Sequence, residues 1–169
     1  MRHRTIQQLI GLCCSFALAC AAAAQDVPRY KVDASWPKPL PNNWMIGQVS
    51  GMAVDKNDRI WVLQRPRTLT ADEAWAAQKP PRAECCVPAP AVLVFDVEGN
   101  LIKSWGGPGH VPDWPVSEHG IHVDAQNNVW LAGSGDGDIV LKFDNDGKFL
   151  MKIGERTAGV RDATREVAE

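Results

Sequence analysis

"HGIHVDAQNNVWLAGSGDGDIVLKFDNDGKFLMKIG", residues 119 to 154, decides the fold, because an earlier part of the chain repeats both of its halves. The first half, "HGIHVDAQNNVWLA" (119–132), aligns with "SGMAVDKNDRIWVL" (50–63). Gly120 meets Gly51, Val123 meets Val54, Asp124 meets Asp55 and Trp130 meets Trp61, each 69 positions apart. The second half, "KFDNDGKFLMKIG" (142–154), aligns with "VFDVEGNLIKSWG" (94–106), with Phe143 on Phe95, Asp144 on Asp96 and Gly147 on Gly99, each 48 positions apart. The two offsets differ by 21 residues, so the first copy carries an insertion. It lies within "QRPRTLTADEAWAAQKPPRAECCVPAP", residues 64 to 90.

Each piece of the second copy has a simple local reading. "GIHVD" alternates as a short strand, "AQNN" is a turn of residues that tolerate tight backbone angles, and "VWLAG" is a strand. "GSGDGD" is a loop, "IVLKFD" a strand, "NDG" a hairpin turn and "KFLMKIG" a closing strand. Asp96 and Asp144 can accept from turn amides, and Gly99 and Gly147 suit the positive φ of the hairpin. Helical periodicity is absent between these strands, and only "TADEAWAAQK" in the insertion could form a short helix.

Four short antiparallel strands at a period near 40 mark a propeller blade, so the expected class is all-β, an incomplete propeller of four-stranded blades. The expected organisation is a segment 1–24 that is removed, a Pro-rich lead-in with a short strand over 25–48, and a first blade over 49–106 with its inserted loop at 64–90. A second blade follows over 118–154, then a polar tail over 155–169. A closed propeller needs about four blades or more, and roughly three repeats are a minimum for stability. Two blades and a polar ending read as a truncated or frameshifted version of a longer propeller, the alternative being several copies assembled into a ring.

The amino terminus, "MRHRTIQQLIGLCCSFALACAAAAQD", has a basic start, an uncharged apolar run and small residues closing it after Ala24. That is a secretory signal pattern, and the run is short for a membrane span. The expected location is exported, periplasmic or extracellular, without a membrane anchor after cleavage. A lipoprotein reading through Cys20 is weakened by Ala17, where a leucine is usual. Losing Arg2 and Arg4 lowers Lys+Arg from 18 to 16 against 20 Asp+Glu, a net charge of −4. A mildly acidic surface offers no electrostatic basis for nucleic-acid binding. Of five cysteines only the adjacent pair Cys85 and Cys86 survives cleavage, as a loop disulfide or free thiols and too few for an ordinary zinc site.

On the residues "GMAVDKNDRIWVLQRP" and "HGIHVDAQNNVWLAG…VLKFDNDGKFLMKIG", the chain resembles NHL-repeat proteins. The order of segments over about 47–154 is similar to the six-bladed propeller of peptidyl-α-hydroxyglycine α-amidating lyases and their exported bacterial relatives. That resemblance implies a substrate-binding, charge-stabilising arginine at Arg65 in "VLQRP". It implies a zinc ligand at His119 in the His-Gly-Ile motif, and backbone carbonyls of Met52 and Ile121 on a structural calcium. The family takes two further zinc histidines, a tyrosine and a methionine from later blades. Tyr30, the one tyrosine here, precedes the first blade and does not match.

Read without the resemblance, His119 is a channel-lining strand residue. Strand alternation expects His122, three residues on, to face the other way and to be structural. His110 in "GGPGHVPDWP" reads as a solvated loop residue, Arg65 as an anion-binding fork or a solvated cation, and Asp136 and Asp138 as members of a plain loop that lacks EF-hand spacing. No phosphate loop, serine elbow or paired-carboxylate constellation stands out. The functional expectation is an exported propeller related to the lyase group, this chain itself an inactive fragment. The alternative is a non-catalytic propeller that binds a protein, a peptide or a small ligand on its face, with self-association through unpaired blade edges.

Overall fold

A computed structural model describes residues 27–155 with the exception of Asp136. The segment 1–24 expected to be removed, Asp136 and nearly all of the polar tail lie outside those residues. The chain divides into Met1–Asp33 and Ala34–Glu169. The described part of the first, 27–33, carries no strand and is exposed.

The described part of the second unit is all-β. Its strands are β1 (Trp44–Met45), β2 (Gln48–Val54), β3 (Ile60–Arg65), β4 (Val87–Pro88), β5 (Val92–Phe95), β6 (Leu101–Trp105), β7 (Ser117–Val123), β8 (Val129–Ser134), β9 (Ile139–Phe143) and β10 (Phe149–Ile153). Two four-stranded sheets result, ordered β2-β3-β5-β6 and β7-β8-β9-β10, with every neighbouring pair antiparallel. Each is an up-and-down blade.

Turn chemistry sets these hairpins. Gly99 and Gly147 both sit at φ 86°, where a Cβ is disfavoured, and each donates its amide to the carbonyl of the aspartate three residues earlier. The side chains of Asp96 and Asp144 then accept from the amides of Asn100 and Lys148. At the other turn type, Asp58 and Asn127 occupy matching positions with φ of 59° and 63°.

The two blades pack face to face. Trp61, Leu63, Val92 and Val94 of the first form one buried cluster with Val123, Val129, Leu131, Leu141 and Phe143 of the second, closed by Trp105 and Trp114. The opposite face of the first blade is also covered. Val62, Leu93 and Phe95 lie under Trp36, Leu40, Trp44 and Ile46 of the lead-in. The lead-in's short strand, β1, pairs in parallel with β4 of the insertion. Among the described residues the opposite face of the second blade has no such cover: Trp61 is fully buried, whereas its repeat partner Trp130 is only partly so.

The expected helix in "TADEAWAAQK" is reduced to a single 3-10 turn, Trp75–Ala77. Glu73 turns back to bond the amide and hydroxyl of Thr70, and Pro80 and Pro81 follow within one turn, which stops propagation.

Candidate functional site at the blade rim

Arg65 closes β3 and His119 lies near the start of β7, so the meander brings both to the same end of the blade stack. A bond ties Arg65 to the residue before His119. Arg65 Nε donates to the Glu118 carbonyl at 2.7 Å, one residue before His119. Arg67 adds to the clamp, its guanidinium reaching the carbonyls of Val116 at 2.7 Å and Pro115 at 3.3 Å. The two arginines thus fasten the exit of the first blade to the entry strand of the second.

His119 occupies a β-bulge. Glu118 pairs with Gly133 and Gly120 with Ala132, which leaves His119 as the extra residue. The first blade bulges at the matching position, with Ser50 between Val49 and Gly51. The bulge places His119 outside the regular alternation of the strand. His119 lines a cleft of about 540 Å³ with Ala132, Ser134, Asp138, Val140 and Ile153. His122 lines an adjoining depression of about 330 Å³ with Trp130, Ala132 and Val140. The two depressions adjoin, sharing Ala132 and Val140. From Gly120 onward the pairing is regular, which sets His122 opposite Trp130.

Glu118 is a group that the sequence reading missed. Its carboxylate is 1% exposed, and Oε1 accepts from Trp114 Nε1 at 2.7 Å. The signal was available: its repeat partner in the first blade is Val49, so a charge stands where the other copy has an apolar residue. His110 is exposed but tied, with Nε2 2.7 Å from the Gly147 carbonyl and its ring among Trp105, Trp114 and Phe143.

The innermost strands touch near the two residues assigned to calcium by resemblance. A Cβ on Gly51 would stand 3.1 Å from the Ile121 nitrogen and 3.2 Å from the Gly120 Cα. Met52 and Ile121 are therefore at matching heights on adjacent inner strands. Met52 leaves its side chain exposed, while Ile121 packs on the interblade core. For zinc the fit is incomplete. A catalytic zinc takes three protein ligands and an open position, and no three His, Cys, Asp or Glu side chains converge among the described residues. His119 stands as a single potential ligand. Cys85 and Cys86 are bridged to each other in the insertion.

No family model and no curated protein matches the chain. Twelve solved chains match it. One, titled "Structure of Dos1 propeller", is 16% identical over 70% of this chain and 36% of its own, with a TM-score of 0.29. This chain therefore spans about a third of that structure's length. The blade assignment rests on the two sheets themselves.

Proposed function

We propose that the chain is part of an exported NHL-type propeller related to amidating-lyase-like enzymes. In this reading Arg65 and His119 belong to the rim where a peptide-type substrate binds. Arg65 presents its guanidinium to a carboxylate, for which a planar fork is suited. His119 supplies one imidazole to a zinc whose other ligands come from further blades, and the carbonyls of Met52 and Ile121 face a structural calcium. Alone, these two blades provide one rim histidine and are inactive as a lyase.

The supporting observation is the 2.7 Å bond from Arg65 to the Glu118 carbonyl, which holds Arg65 next to the residue that precedes His119. The test is zinc titration of the full chain beside His119→Ala, with turnover of a peptidyl-α-hydroxyglycine measured in parallel. Weak zinc binding that is lost in the variant, without turnover, is the expected result. Equal zinc binding by both proteins removes His119 as a ligand, and turnover by these blades contradicts the incomplete site. A second reading, a non-catalytic propeller that captures a small ligand, is favoured by the cleft holding His119, Ser134 and Asp138. Ligand binding abolished by Val140→Asp but untouched by Arg65→Ala would support it over the first.

A further inference from the structure

The Cys85–Cys86 bridge joins neighbours in sequence, so it encloses no length of chain. A disulfide that stabilises by shortening the unfolded chain needs a loop to close. This one fixes only the backbone around a single peptide. That backbone is unusual: Cys86 has φ 125°, a region that L-residues with a side chain rarely occupy unless their surroundings hold them there.

The residues around the bridge are where the insertion is fastened. The Cys85 carbonyl accepts from the Ala76 amide at 3.1 Å, tying the bridge to the 3-10 turn at Trp75. The Glu84 carbonyl accepts from Asn43 Nδ2 at 3.1 Å. On the other side, the Val87 amide donates to the Asn43 carbonyl at 3.0 Å and the Ala89 amide to that of Met45 at 3.0 Å. One peptide thus stands between two sets of ties. The first joins it both to Ala76 within the insertion and to Asn43 of the lead-in, and the second runs to Asn43 and Met45 of the lead-in. Cys85 is exposed, so its sulfur is open to an incoming thiolate.

We propose that Cys85–Cys86 is a redox-operated latch that holds the insertion against the lead-in when oxidised and releases it when reduced. The reductant is a dithiol. One of its thiolates attacks the Cys85 sulfur, the Cys85–Cys86 bond breaks, and the Cys86 sulfur leaves with the electron pair and takes a proton. The second thiol of the reductant, as its thiolate, then displaces Cys85 from the mixed disulfide, and the freed Cys85 thiolate is protonated in turn. The reductant ends as a disulfide and the protein carries two thiols. Cys86 is then free to leave positive φ, which turns the Glu84 and Cys85 carbonyls away from Asn43 and Ala76. The cover over the first blade persists, because Trp36, Leu40, Trp44 and Ile46 are held by packing rather than by the bridge.

The experiment is amide exchange read by mass spectrometry on the full chain, in four forms: oxidised, reduced with dithiothreitol, Cys86→Ser and Cys86→Gly. Exchange over 76–87 should rise about tenfold on reduction and in Cys86→Ser, with β3, β5, β8 and β9 unchanged and with protection regained on reoxidation. Cys86→Gly should retain more of the oxidised protection than Cys86→Ser, because glycine adopts positive φ without steric cost. Unchanged exchange over 76–87 on reduction would overturn the proposal. So would equal exchange in the serine and glycine variants, or a bridge that dithiothreitol opens only when the whole fold is lost.

Discussion

Asp55 and Asp124 show at single-residue scale why the repeat has the form it has. Asp55 Oδ2 accepts from Trp61 Nε1 at 2.9 Å and from Arg59 Nε at 2.7 Å, while Oδ1 accepts the amides of Asn57 and Arg59. Asp124 repeats the arrangement with Trp130 Nε1 at 3.0 Å and the amides of Gln126 and Asn128. The tryptophan six residues on is thereby both an apolar surface and a donor. Burial works against ionisation of each carboxyl, but the indole, amide and side-chain donors outweigh it and hold both below the ordinary value of 3.8. A depressed folded value means that the stabilisation is complete above about 3.8 and is lost as pH falls through the folded values. Acid unfolding should therefore begin below that point, and Asp55→Asn should flatten the pH dependence of the melting temperature across it. The same variant should cost on the order of 1–3 kcal/mol at neutral pH, read by urea unfolding. Arg65→Ala should cost about 1–2 kcal/mol by the same measurement, since it leaves the Glu118 carbonyl without its charged donor. A loss of peptide binding with unchanged stability would instead assign Arg65 to the ligand alone.

At the scale of elements, the register of β7 against β8 carries the site. Gly133 faces Glu118 across the bulge, and a Cβ there would collide with the Pro115 ring and stand 2.9 Å from the Ser117 carbonyl. Gly133→Ala should destabilise the chain by about 1–3 kcal/mol through overpacking, visible as a lower urea midpoint. Its effect should concentrate on exchange at 115–120. The strands and hairpins were legible in the sequence because Asp-x-x-Gly turns and alternating apolar positions recur in register. The bulge was not, since "SEHGI" and "QVSGM" stand at matching positions and the repeat alone does not reveal a shared irregularity. The partnership of β1 with β4 was also hidden: two-residue parallel pairing between a Pro-rich lead-in and an insertion leaves no periodic trace. Glu118 was readable as an odd charge on an inner strand, but only by comparison with Val49.

At the scale of the whole molecule, the two blades differ in what surrounds them. The first is covered on both faces, by the second blade on one side and by the lead-in on the other. Among the described residues the second is covered on one face, and its other face carries His122 and the partly exposed Trp130, beside the cleft that His119 lines. Clamps at several heights hold the pair together. Arg65 and Arg67 act at the rim, and Lys103 reaches Asn145 and Asp146 of the second blade's last hairpin. Phe143 is fully buried among Trp105, Trp114 and Phe149 at the same junction. Phe143→Ala should cost about 3–5 kcal/mol and unfold both blades together in a single melt. The most direct measurement of the stacked-blade account is native-state hydrogen exchange across β3, β5, β8 and β9 with increasing denaturant. The account predicts that the slowest amides of both sheets converge on one opening free energy, because a single buried cluster serves both. Two separate opening energies, with β8 and β9 exchanging independently of β3 and β5, would contradict it.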